Sequence, residues 1–269
     1  MISDQSQALD AEQNAAVDCP WGSDNACIAY NEILEKYDFH NACNRYSTAT
    51  LCGDVSGLSV LDLPSGPGCY ALYFLGNGAK AVTSVDLDAN FVKEAGEKIK
   101  RLPPKSQHAW QGLVANACIP QMYAQGPFDL IRASFVMEVF PTLDLTRACL
   151  QNLYDNLKPG GRIVSITASG AHTPEDGKVV LDTVGMATTD LTKINPGDPV
   201  DCTYVKLSTP TTISWLWRPE EQLRKVLQEV GFSDICFQRL LVDPQYSGPD
   251  DLETFVNHVG NRIVTATKR

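Results

Sequence analysis

The sequence predicts an open α/β sheet of mostly parallel strands, on three observations. Short apolar runs alternate with helical patterns between residues 59 and 167. The first run enters a Gly/Pro turn that leads straight into a helix. The composition, 43% hydrophobic and 20% charged over 269 residues, is that of a globular chain of one large domain. Strand, helix, strand in repeat requires crossover connections, and these make neighbouring strands parallel.

The elements follow in order. Residues 1–24 are polar and read as a mobile tail. Residues 25–50 read as a helical lid, with Ile28, Ile33, Leu34 and Tyr37 as the apolar positions. Ser59–Leu63 is a buried strand, Cys69–Leu75 an apolar helix and Ala81–Val85 the second strand. Asp88 is placed to cap the next helix, where Phe91, Ala95 and Ile99 recur every four residues and Glu94 precedes Lys98 by four. Phe128–Ala133 is a further strand. A helix carrying Cys149, Leu150, Leu153 and Leu157 ends at Pro159-Gly160-Gly161, and Arg162–Thr167 is the strand after it. An insertion over about 169–200 is polar and rich in Gly, Pro and Thr. Thr203–Leu207 and Thr212–Trp217 alternate as strands do. Pro219–Val230 is a helix closed by Gly231, and Ile235–Val242 is the final strand expected.

Charge and cysteine content exclude several classes. Lys and Arg number 22 against 32 Asp and Glu, a net charge of −10, with no basic cluster of the kind that neutralises phosphates. Nucleic acid is therefore not the expected partner. No apolar run reaches the ~18–20 residues of a membrane span, and Met1–Gly22 lacks a signal-peptide pattern, so a cytoplasmic location is expected. The nine cysteines are scattered without a CxxC pair, which fits small apolar thiols in a reducing compartment and signals neither a zinc site nor a disulfide framework, and Arg132-Ala133-Ser134 lacks the carboxylates a metal-dependent catechol enzyme would want there, so no metal is expected.

The strongest local signal is Leu61-Asp62-Leu63-Pro64-Ser65-Gly66-Pro67-Gly68. It joins a strand to a helix at the carboxyl edge of the sheet, where α/β proteins bind ligands. Glycines there permit close backbone approach, and the next helix offers free amides. Asp86 ends the second strand 18 residues after Gly68, where a carboxylate can accept both ribose hydroxyls. Gly66, Gly68 and Ala71 also satisfy G-x-G-x-x-A, so a dinucleotide fits the glycines as well. Asp62, inside the strand, instead suits a cationic amino-acid tail.

VLDLPSGPG (60–68), AVTSVDLD (81–88), VANACIP (114–120), FDLIRASFVMEVF (128–140), LKPGG (157–161) and LRKVLQEVGFSDI (223–235) stand in an order that resembles the class I S-adenosylmethionine-dependent methyltransferases. Within them the chain is most similar to small-molecule enzymes of the ubiquinone/toxoflavin-methyltransferase type. The resemblance implies a Rossmann-like methyltransferase domain over 51–269, helices on both faces of the sheet and an antiparallel last strand. It implies S-adenosyl-L-methionine as cofactor and a small-molecule acceptor methylated at N, O, S or C, by a monomer or homodimer. Asp62, Gly66 and Gly68 then match the motif around the methionine part and ribose, and Asp86 the ribose carboxylate, with Leu87 beside the adenine. Asn116, standing where the family often has Asp, and Ala117 match the adenine contacts. Ala133 and Ser134 match the end of the fourth strand, beside the methionine moiety, and Tyr37 resembles a lid aromatic. Pro64 departs from the family, which has glycine there; it is read as a stiffer turn whose carbonyl still meets the ligand.

Methyl transfer needs mainly positioning, with a base where the acceptor holds its proton at neutral pH. His40 in the lid, Glu138 beyond the fourth strand and His172 after the fifth are the candidates. Each has an alternative as an ordinary surface or helix-start residue. Trp215 and Trp217, two apart, share a strand face and either wall the acceptor or pack the core. The competing readings are a nucleotide-dependent oxidoreductase and a cofactor-binding scaffold without methyl transfer.

Overall fold

The computed structural model describes residues 24–170 and 173–269. The tail expected over 1–24 falls outside them except for its last residue, as does His172. Helix α1 (Asp24–Lys36) leads through a turn into a π-helix (His40–Arg45) and α2 (Tyr46–Cys52). The Rossmann-like core follows as β1 (Ser59–Asp62), α3 (Cys69–Gly76), β2 (Ala81–Asp86), α4 (Ala89–Ile99), α5 (Pro104–His108), β3 (Trp110–Val114), β4 (Phe128–Arg132), α6 (Leu143–Asn156) and β5 (Leu157–Thr167). Next come α7 (Pro174–Val184) and β6 (Met186–Thr188), within the stretch expected as an insertion over about 169–200, and β7 (Pro199–Tyr204) and β8 (Thr211–Leu216). The chain closes with α8 (Glu220–Val230), β9 (Phe232–Arg239), α9 (Leu252–His258) and β10 (Arg262–Lys268).

The main sheet has seven strands in the order β3-β2-β1-β4-β5-β10-β9. Strands β1 to β5 pair in parallel, and β10 runs antiparallel to both β5 and β9. The reversed strand is thus β10, inserted between β5 and β9, and not the segment at 235–242 that the sequence places last. Its alternation of Thr265 and Thr267 with apolar residues hides it. The insertion is more ordered than a loop: β6, β7 and β8 form a second, antiparallel sheet.

The core follows from strand alternation. Val60, Leu130 and Val164 pack on one face, with the N-terminal helices and α3. Leu61, Ile131 and Ile163 pack on the other, with α6 and α8. Strands buried on both faces read as continuous apolar runs, which is why β1, β2 and β4 were visible in the sequence. Asp88 caps α4 as expected, its Oδ1 accepting from the Asn90 amide at 2.8 Å. No helix of the described residues is long and apolar enough to cross a membrane.

The N-terminal segment belongs partly to this core. Ile33, Tyr37, Phe39 and Cys43 are fully or almost fully buried in it. The Tyr37 hydroxyl donates to Gly185 O at 3.1 Å and accepts from the Lys206 amide at 2.8 Å. Its ring stands edge-on to Tyr204. Tyr37 therefore ties the N-terminal helices to the second sheet.

Gly68 also acts in packing. It holds φ +82°, and a Cβ there would lie 2.7 Å from the Ala95 Cβ on α4. Gly68→Val is expected to destabilise the fold by about 3 kcal/mol, combining a left-handed side chain with overpacking. A thermal melt checks this: Tm should fall by roughly 6–12 °C, and an unchanged Tm would refute the packing role.

Candidate functional site

Strand order reverses direction between β1 and β4, and a cavity of about 250 Å³ opens at their carboxyl ends. The turn after β1, the ends of β2 and β4 and the loop after β3 wall one side. Tyr30, Phe39 and His40 from the N-terminal helices close another, and Met186, Tyr204, Ile213 and Trp215 of the second sheet complete the enclosure.

Of the residues singled out from the sequence, Pro64, Gly66, Asp86, Leu87, Asn116, Ala117, Ser134, Glu138 and His40 line this cavity. Tyr37, Asp62, Gly68 and Ala133 do not. Tyr37 and Gly68 are held in the core as described. Ala133 is buried in the sheet, its amide donating to Val164 O at 3.0 Å and its carbonyl accepting from the Ser165 hydroxyl. Asp62 is fully buried behind Arg132.

Asp86 is 8% exposed and held by backbone amides. Its Oδ2 accepts from Gly66 N at 2.8 Å and its Oδ1 from Asp88 N at 3.0 Å. The Gly66 amide is therefore engaged by Asp86 and shapes the turn. Burial raises the Asp86 pKa, and the two amides pull against that rise. Asn116 Oδ1 accepts from Cys118 N at 2.9 Å, a local turn that presents Asn116 and Ala117 to the cavity.

The sequence reading missed Arg132. Asp62 and Arg132 are register partners on the paired strands β1 and β4, so their side chains emerge side by side. Arg132 Nη1 donates to Asp62 Oδ1 at 3.1 Å and to Pro64 O at 2.7 Å. The carbonyl that the proline turn was expected to offer a ligand is thus taken by the guanidinium, which lies over the Tyr70 ring, 3.8 Å from its centroid. A charged residue ending the apolar run FDLIRA was the signal available in the sequence.

Glu138 and His40 are buried titratable groups of the same cavity. Glu138 is 2% exposed; its Oε1 accepts from Ala168 N at 2.8 Å and its Oε2 from the Thr167 hydroxyl at 3.2 Å. Burial raises its pKa to about 7 in spite of these donors. His40 is buried on the π-helix, with Nδ1 3.2 Å from the Asn44 amide nitrogen and Nε2 without a partner among the described residues. Burial lowers its pKa to about 3, so the ring is neutral at physiological pH. Phe135 also lines the cavity and holds φ +56°, an uncommon conformation for a bulky residue and one that concentrates at functional sites.

The strand order, with β10 reversed between β5 and β9 and the cavity at the switch point, is that of a Rossmann-like fold. Residues 60–161, which carry the ends of β1, β2 and β4, match the family model described as a methyltransferase domain. The chain is 31% identical over 157 residues to the demethylmenaquinone methyltransferase of Lactococcus lactis, covering 54% of this chain and 59% of that protein. The chain thus spans about three-fifths of the length of this curated relative. Among solved structures it resembles an S-adenosylmethionine-dependent methyltransferase from Mesorhizobium loti, with TM-score 0.53, 15% identity, and coverage of 83% of this chain and 96% of that one. The glycopeptide N-methyltransferase MtfA, complexed with S-adenosyl-L-methionine, gives TM-score 0.56 and 16% identity over 84% of this chain and 93% of that one. The segment that builds the cavity's carboxyl-edge wall is thus the part of the chain that is similar to methyltransferase domains.

Glu138 makes stability pH-dependent. A carboxyl raised from the ordinary 4.5 to about 7 contributes its full stability below pH 4.5 and loses it as pH rises through 7. The loss is about 3 kcal/mol. Glu138→Gln should remove this slope. Denaturant unfolding of both proteins from pH 4.5 to 8 isolates the effect, because Asp62, Asp86 and His40 titrate in both. Parallel curves for the two proteins would contradict a buried, proton-binding Glu138.

Proposed function

We propose that this chain transfers a methyl group from S-adenosylmethionine to an N, O, S or C atom of a small, largely apolar molecule, in the cytoplasm. The observation that carries this reading is the coincidence of the methyltransferase-domain match, 60–161, with the carboxyl-edge wall of the cavity. The residues fit the cofactor. A carboxylate ends β2 at the ribose position, and beside it lie the apolar Leu87 and the Asn116 turn for an adenine. Asp62 Oδ2, Arg132 Nε and Ser65 Oγ are buried without hydrogen-bond partners among the described residues, polar capacity that an amino-acid tail would satisfy. The net charge of −10 fits a small acceptor better than nucleic acid.

When bound, S-adenosylmethionine supplies an electrophilic methyl group on a sulfonium. The protein's task is then to position the acceptor and to take its proton. Phe39, Tyr204, Ile213 and Trp215 offer the acceptor apolar walls and exclude water. Glu138, with a pKa near 7 and both oxygens held by Ala168 N and the Thr167 hydroxyl, is poised to take a proton at neutral pH. His40, neutral and with Nε2 unpartnered, orients a polar group of the acceptor.

The reaction is tested by incubating the protein with methyl-labelled S-adenosylmethionine and cell-extract metabolites, read by mass spectrometry. A labelled small molecule is expected; no labelled product from any extract would contradict the proposal. Glu138→Gln should lower kcat by about 10²–10⁴-fold, removing the limb of the kcat–pH profile near 7. A variant with unchanged kcat would exclude the base. Asp86→Ala should weaken S-adenosylhomocysteine binding by about 1–3 kcal/mol, and calorimetry showing unchanged affinity would remove Asp86 from the ribose site.

A further inference from the structure

We propose that Arg218 is a positioning residue for the reaction: from behind the cavity wall it fixes the segment that carries Glu138, a role that rests on the reading of Glu138 as the base. Arg218 itself does not line the cavity, so it acts through that segment and not on donor or acceptor.

Glu138 stands between β4, which ends at Arg132, and α6, which begins at Leu143, in a stretch with neither helix nor strand. Such a stretch has no ladder, so its backbone groups must find partners elsewhere. Around Glu138 they find them just at the end of β8. Leu216 N donates to Glu138 O at 2.9 Å, and Arg218 Nη2 donates to Phe140 O at 3.1 Å and to Pro141 O at 3.2 Å. The second sheet, which encloses the cavity, thereby also sets the backbone from Glu138 to Pro141. Phe140 is 8% exposed and lines the cavity with Glu138. On its other side the guanidinium meets the turn at Gly197, where a Cβ would stand 3.2 Å from Nη1. Gly197 N in turn donates to Trp217 O at 2.8 Å. Arg218 is held between this turn and the carbonyls it binds.

Packing alone does not account for an arginine here. Arg218 is 4% exposed, accepts no help from a carboxylate, and leaves Nε without a partner among the described residues. Burial lowers its pKa from the ordinary 12.5, and the group still stays charged at neutral pH. A buried cation without a carboxylate is costly, and an apolar side chain of similar volume would fill the space at lower cost. What the guanidinium adds is a planar NH₂ group with one hydrogen for each of two successive carbonyls, in charge-assisted bonds. Two such bonds fix the orientation of the Phe140–Pro141 peptide, where a single bond would let it swing. Glu138 depends on that fixing, because a base works only within hydrogen-bond reach of the proton it takes.

A double-mutant cycle between Arg218 and Glu138 tests this. Its readout is the initial rate of label transfer from methyl-labelled S-adenosylmethionine to cell-extract metabolites, with S-adenosylhomocysteine affinity and Tm measured on the same samples. Arg218→Met should lower the rate by about 10²-fold, the loss that a small misplacement of a catalytic group produces. S-adenosylhomocysteine affinity should change by less than about 3-fold, because the donor contacts lie elsewhere. In the Glu138→Gln background the same substitution should lower the remaining rate by no more than about 3-fold. Arg218→Lys keeps a charged donor without the fork and should recover about 10-fold of the loss. If Arg218→Met does not melt as a folded protein, Arg218→Lys carries the cycle, with a loss of about 10-fold alone and none in Glu138→Gln. Full activity in a folded Arg218→Met, an equal loss in both backgrounds, or a rate loss matched by lost S-adenosylhomocysteine affinity would overturn the inference and leave the methyl-transfer reading in place. A Glu138→Gln protein as active as wild type would overturn the base reading and the inference with it. No transfer by wild-type protein would overturn the methyl-transfer reading and everything built on it.

Discussion

The parallel pairing of β1 with β4 is the constraint on which the rest of the molecule depends. It places Val60 opposite Leu130 and Asp62 opposite Arg132, and it sets the point where the strand order turns from β2 on one side to β5 on the other. Because the strands are parallel, the chain leaves both at the same edge, and the helices that follow them pack on opposite faces of the sheet, so a crevice opens there. The Gly66 turn, the Asp86 carboxylate and the segment from Ser134 to Glu138 all converge on that crevice. The side chains that end the two strands are charged, in a position where charge is costly unless it is paired. The site thus begins as a packing consequence and acquires its chemistry from the residues at the strand ends.

Two added layers convert an open crevice into an enclosed cavity. The N-terminal helices and the β6-β7-β8 sheet meet over it, joined by the bonds of Tyr37 to Gly185 and Lys206. Residues 25–50 divide their side chains between the core and the cavity. Ile33, Tyr37 and Cys43 face the core, while Tyr30, His40 and Asn44 face the cavity. His40 and Asn44, both buried and four residues apart on the π-helix, stand next to each other at the wall.

Much of the fold was legible in the sequence because it rests on period and punctuation. β1, β2 and β4 are short segments centred on apolar residues, β1 and β2 ending in Asp62 and Asp86, and α4 announces itself by a four-residue repeat after a capping Asp88. β10 was not legible, since Thr265 and Thr267 interrupt its apolar content and its partners lie about 100 residues earlier on β5. The cavity lining was legible where a residue stands at or just beyond a strand end, as for Asp86, Asn116 and Glu138. Placement was not legible where it depends on a distant neighbour. Gly68 packs against Ala95 on the next helix, Tyr37 finds partners in the second sheet, and Asp62 meets Arg132 across seventy residues. Helical spacing alone cannot tell a tyrosine that lines a cavity, such as Tyr30, from one seven residues on that is locked in the core.

The central claim is that the β1/β4 switch-point cavity is the methyl-donor site. A crystal structure of the protein grown with saturating S-adenosylhomocysteine tests it most directly. The account predicts ligand density in this cavity, with the ribose hydroxyls on Asp86, the adenine beside Leu87 and Asn116, and the amino-acid end at Asp62 and Arg132. Ligand density at another place on the chain, or an adenine and tail bound in the opposite direction, would contradict it.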